Sequence, residues 1–102
     1  MIVRRISSGY LADLIEQMGA TKSLMGPRDL AENLLPTGAA LLLDRDAQTR
    51  YSARRIFNVL LNHAQFNSLL SKYVQPATYR AIIGSLASIK RRGVGDKPKE
   101  NA

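Results

Sequence analysis

Arginine, asparagine, glutamine and serine recur along two helical stretches of this chain, and together they carry the chemistry of anion recognition. Arginine offers a planar fork of donors that fits phosphate or carboxylate oxygens. Asparagine and glutamine can bond base edges in pairs. From Ala47 to Gly95 there is no Asp or Glu, yet eight bases occur: Arg50, Arg54, Arg55, Lys72, Arg80, Lys90, Arg91 and Arg92. Residues 1–46 hold six acids against five bases, a net charge of −1, and the last seven residues hold two of each. The chain's net charge of +7 thus arises in one segment of +8. A segment of one sign predicts a partner of the other.

Catalysis has little to work with. His63 is the single histidine, it lies beside the apolar face of its helix, and no acid stands near it in sequence to orient it as a general base. It reads as a partly buried structural residue. Without cysteine the chain has no thiol nucleophile, disulfide or thiolate zinc site. One histidine with scattered acids does not give metal-ligand spacing. No glycine stands directly before a Lys-Ser/Thr pair, so no phosphate loop is written. The expectation is a non-enzyme with no metal and no cofactor.

At 102 residues the chain has the length of one domain with a single modest core. Residues 1–93 read as that domain and 94–102 as a polar, disordered tail. No apolar run reaches the length of a membrane span, and the first six residues are too short and too basic for a signal sequence. A cytoplasmic setting without a membrane partner is expected. The cysteine-free composition fits a reducing compartment.

Helices must position the bases. The spacing of Tyr10, Leu11, Leu14, Ile15 and Met18 predicts a helix over 10–18, capped by Ser7 or Ser8 and ended by Gly19. Residues 20–26 read as a loop. Pro27 and Asp29 suit the start of a second helix, whose stripe is Leu30, Leu34 and Leu35 and which Pro36 stops. Thr37 and Gly38 are placed to cap a further turn through Leu43. A break follows at about Asp44–Tyr51, with Ser52 as cap; the alternative is one unbroken helix of roughly 27 residues to Ala64.

The 53–63 helix is two-faced, with Ile56, Phe57, Leu60, Leu61 and Ala64 on one side. Arg55, Asn58, Asn62 and Gln65 lie opposite, Arg54 stands at the boundary, and Arg50 precedes them. A short helix at about 67–73 buries Phe66, Leu69, Leu70 and Val74. The last runs from Pro76 to about Arg92, with Tyr79, Ile82, Ile83, Leu86 and Ile89 as its apolar side, and Gly93-Val94-Gly95 ends it. Its other side pairs small residues (Ala81, Gly84, Ser85, Ser88) with Arg80, Arg91 and Arg92, which lets a groove or a helix approach closely. The fold class is all-α: a compact bundle of four to five short helices.

Residues 66–86 resemble the core of helix-turn-helix and winged-helix DNA-binding proteins. Phe66 and Leu69 match the supporting helix, Val74 the turn, and Pro76-Ala77-Thr78 the start of a recognition helix anchored by Ile83 and Leu86. The resemblance implies that Gln75, Ala77, Thr78, Arg80 and Ala81 face a major groove and that Arg54 or Arg55 contacts backbone. The turn lacks the family's glycine and is one residue short, Leu70 stands where a small residue is usual, and Gly93–Ala102 supplies no two-stranded wing.

Two functions follow. The first is a DNA-binding regulator that grips duplex DNA through Arg50, Arg54, Arg55, Asn58, Asn62, Gln75, Thr78, Arg80, Ser85, Ser88, Arg91 and Arg92. The second is an adaptor or inhibitor docking on a larger protein with an acidic surface. The seam around Gly84, Ser85 and Ser88 also suits a helix of a second copy, so a homodimer stays open.

Overall fold

The computed structural model describes residues 2–26 and 28–95, with side chains for 6–26 and 30–95. Pro27 and the tail from Asp96 lie outside the described residues. The fold is all-α: five helices and, among the described residues, no strand. They are α1 (Ile2–Met25), α2 (Arg28–Leu42), α3 (Ala47–Leu60), α4 (Phe66–Tyr73) and α5 (Pro76–Arg92). The longest seam joins α1 to α3, and α2 touches every other helix. α1 packs on α2 and α3 while α5 packs on α2, α3 and α4, so α1 and α5 flank the α2–α3 pair.

α1 is longer than its sequence signals suggest. Ser8 is buried inside the helix rather than capping it, and helix resumes after Gly19 through residues expected as a loop. Gly19 does interrupt the helix, with φ 82° and ψ 167°, a conformation open essentially to glycine alone. Downstream, the Ser23 hydroxyl donates to the Gly19 carbonyl at 2.8 Å. The buried face is Ala12 and Ile15, whereas Tyr10 and Leu14, expected in the stripe, are 71% and 49% exposed.

Pro36 does not stop α2; the helix runs six residues past it. The proline lacks the N–H that would bond the Glu32 carbonyl, but Glu32, Pro36 and Thr37 are exposed, on the side of the helix where a missing bond costs least. Buried Leu34, Leu35, Ala39 and Leu42 hold the helix on both sides of it. Thr37 and Gly38 are therefore helical, not caps. Gly38 has a packing reason: a Cβ there would stand 3.1 Å from two ring carbons of Phe57.

The break between α2 and α3 falls where expected but is shorter. Asp46 caps α3, accepting from the Thr49 amide and the Thr49 hydroxyl, each at 2.9 Å. Ser52 is buried within the helix and caps nothing there. Replacing Asp46 with alanine removes a carboxylate that is 8% exposed and serves two donors. The expected loss is about 0.5–2 kcal/mol in chemical denaturation, the range for a lost side-chain cap.

The core joins Leu35, Ile56, Phe57, Leu60, Phe66, Leu70 and Ile82, all nearly inaccessible. Phe57 and Phe66 meet edge to face, centroids 5.9 Å apart at 76°. α3 ends at Leu60 rather than His63, and residues 61–65 form turns. Ala64 is exposed, not core. α5 begins on Pro76 and ends on Gly93 (φ 75°), as its punctuation predicts.

Candidate functional site

The twelve candidate residues separate into groups that behave differently. On α3, each arginine is tied to the chain itself. Arg50 donates through Nη1 to the carbonyls of Asp44 (2.8 Å) and Arg45 (2.7 Å), closing the turn before α3. Arg55 reaches α1: Nη2 bonds Asp13 (2.5 Å) and Glu16 (2.6 Å), and Nε bonds Glu16 (3.1 Å). Hydrogen bonding to Glu16, then to Asp13, raises the Arg55 pKa above its already high ordinary value. A raised value for a base gives stability that is fully present below its unfolded value, so the charge on Arg55 itself brings no pH dependence near neutrality. Asp13 and Glu16 side chains are 60% and 43% exposed, so screening keeps the pair to about 1 kcal/mol or less.

Arg50 and Arg55 are thus latches of the fold, not free members of a basic face. Asn62 is similar in kind, its amide donating to the Asn58 carbonyl at 3.2 Å. His63 accepts the Gln65 amide through Nδ1 at 3.0 Å, shaping the turn between α3 and α4. Among the described residues no group of three His, Asp or Glu side chains is placed to hold a metal ion.

Arg54 stands apart. Its Nε donates to the Val94 carbonyl at 2.9 Å and its guanidinium lies over the Tyr51 ring, 5.6 Å from the centroid. The bond to Val94 uses Nε and leaves the donors of both terminal nitrogens. Arg54 lines a cleft of about 370 Å³ with Ser85, Ser88, Ile89, Arg92 and the Gly93-Val94-Gly95 backbone. Two arginines and two hydroxyls converge there, with no carboxylate in the lining among the described residues. The basic part of α3 and the small-residue side of α5 therefore meet, but through Arg54 alone.

Asn58 is exposed on α3, and the remaining candidates lie along α5. Gln75 and Arg80 are exposed and Thr78 is half-buried near its start; Arg91 is exposed near its end. Arg80 and Arg91 fall on one side of the helix, about 16 Å apart at the α-helical rise. The anchor of α5 is Ile82, fully buried, where the helix-turn-helix resemblance implies Ile83; Ile83 is 43% exposed. Arg54 and Arg55, which that resemblance turns toward a nucleic-acid backbone, are engaged with Val94 and with α1. Sequence reasoning missed Tyr51 and Val94, the two groups that hold Arg54. Val94 is 40 residues from Arg54, and nothing local signals that bond.

No family model matches the chain, and no solved structure matches it. A curated protein does. The chain is similar to the TOG array regulator of axonemal microtubules protein 1 of Mus musculus, 32% identical over 100 residues. That alignment takes in 98% of this chain but only 6% of the mouse protein's length. Of the described helices, none is long and apolar enough to cross a membrane.

Proposed function

We propose that the chain is a non-enzymatic, cytoplasmic docking module whose basic cleft and α5 meet an acidic protein surface, with a microtubule as the first surface to test. The observation that carries this reading is the convergence of Arg54 and Arg92 on one cleft lined by two hydroxyls and, among the described residues, by no carboxylate. Paired guanidinium groups in a short depression suit carboxylate side chains, which accept two parallel N–H bonds from each fork. The similarity to a regulator of axonemal microtubules favours a protein partner over other polyanions.

Duplex DNA is the second reading. Exposed Gln75 and Arg80 at the start of α5, with exposed Lys90, Arg91 and Arg92 at its end, favour it. It draws less support than the sequence alone suggests, because Arg50 and Arg55 are spent on contacts inside the chain. With four cations left on α5, log affinity for duplex DNA should fall against log salt with a slope of about −3 to −4.

Fluorescence anisotropy and co-sedimentation at one ionic strength compare the partners directly. Microtubules should bind the labelled chain at least about tenfold more tightly than a random duplex, a difference of about 1.4 kcal/mol. Tighter binding to the duplex would reverse the order of the two readings.

A further inference from the structure

Two hydroxyls line the basic cleft, and one of them stands in a sequence that a kinase can read. Ser88 is followed by Lys90, Arg91 and Arg92, all three exposed, at the second, third and fourth positions after it. Such a run suits a protein kinase whose substrate groove is acidic. Ser85, the other hydroxyl of the cleft, is followed by Leu86, Ala87, Ser88 and Ile89 and offers no base to such a groove. Ser52 precedes Arg54 and Arg55 at similar spacing but is 6% exposed inside α3. Ser88 is half-buried, four residues before the end of α5, and helix ends open locally at the least cost.

We propose that Ser88 is a phosphorylation site and that its phosphate closes the basic cleft from within. The Ser88 Oγ attacks the γ-phosphorus of a nucleoside triphosphate held by the kinase. An Oγ–P bond forms, the bond from that phosphorus to the diphosphate breaks, and the hydroxyl proton passes to the kinase's base and on to solvent. The products are phosphoserine and a nucleoside diphosphate. On α5, Ser88 and Arg92 are one turn apart, anion before cation, the order that pairs best. Arg54 meets them from α3: its Nε holds Val94, and both terminal nitrogens are left to bind phosphate oxygens. No carboxylate competes in the lining among the described residues. The phosphate is the first negative side chain between Ala47 and Gly95 and takes that segment from +8 to about +6. The negative end of the α5 dipole opposes it, but that effect fades within the last turn, which holds three bases. Forks filled by an internal phosphate cannot grip a partner's carboxylates, so modification switches docking off. In what it switches, the inference rests on the docking reading above.

Two arms test it on the full chain. A kinase selective for bases after the serine, supplied with nucleoside triphosphate, should place one phosphoryl group on Ser88 by mass spectrometry and none on Ser88→Ala at that position. A chain synthesised with phosphoserine at 88 should melt about 4 °C or more above the unmodified chain at low salt, the shift of a new charge-assisted bond in a domain of this size. In the Arg54→Gln/Arg92→Gln background the same phosphate should bring no rise. Phosphorylation should also weaken microtubule docking at least about tenfold. Should the unmodified chain not dock at all, the docking reading fails, while the labelling and melting results still decide the site and its arginine partners. A Ser88 that takes no phosphate overturns the proposal. So does a midpoint that phosphoserine leaves unchanged or lowers, or a rise that survives loss of both arginines.

Discussion

Replacing Phe57 with alanine is expected to remove about 3–5 kcal/mol of folding stability, the range for emptying a large buried aromatic site. Phe57 is wholly buried, meets Phe66 edge to face, and rests its ring edge where Gly38 has no side chain. The lost ring leaves a cavity between α2, α3 and α4 that rigid neighbours cannot close. Collapse is opposed from one side by Gly38, which offers no atoms to move inward. A domain of this size has a margin of roughly 5–15 kcal/mol, so the variant should unfold at much lower urea with an unchanged slope. Tyr10→Ala is the control. Its side chain is among the most exposed apolar groups on the molecule, and its effect on monomer stability should stay within about 0.5 kcal/mol.

Reversing charge at Arg54 and Arg92 together is expected to weaken docking on an acidic surface about 100-fold, or about 2.7 kcal/mol. Each substitution removes a donor fork from the cleft and adds a carboxylate that repels the incoming one. The two positions differ in what else they disturb. Arg92 is exposed and Arg92→Glu should leave the denaturation midpoint unchanged. Arg54→Glu also gives up the bond to Val94 and the stack on Tyr51, so it should loosen the end of α5. A loss of binding in Arg92→Glu with native stability assigns the effect to recognition. Arg55→Gln marks the contrast: it breaks the latch to α1 and should lower stability slightly, while docking stays within about threefold of native, since exposed ion pairs are worth about 1 kcal/mol or less.

Much of the helical plan was legible because local chemistry wrote it. Pro76 and Gly93 bracket α5, and the apolar spacing within it found Ile82, Leu86 and Ile89. A break before α3 was visible over about Asp44–Tyr51, although helix already resumes at Ala47 and the cap proved to be Asp46 rather than Ser52. Misreadings came where tertiary packing overrode a local stop. Pro36 reads as a terminus, but its helix is held on both sides by buried leucine and alanine, and Glu32, whose carbonyl loses its donor, is exposed. Gly19 reads as a terminus too, and one glycine-only conformation there was enough to let helix resume. In α1 the apolar residues occupy two sides, so periodicity alone chose Tyr10 and Leu14 over Ala12 for the core.

The site was legible as a set of residue types, not as a place. Acid-free sequence from 47 to 95 flagged the arginines, but their partners are remote: Glu16 lies 39 residues from Arg55, and Val94 lies 40 from Arg54. No spacing rule separates an arginine that latches two helices from one that lines a cleft. Asp13 and Glu16, in the half that looked merely acidic, decide the matter for Arg55.

Microtubule co-sedimentation of the native chain and of the Arg54→Glu/Arg92→Glu variant, across a series of salt concentrations, tests the docking claim most directly. The predicted result is saturable binding of the native chain at low salt, weakening as salt rises, with the variant about 100-fold weaker at each point. Native binding that the double reversal leaves unchanged, or no sedimentation even at the lowest salt, would contradict it.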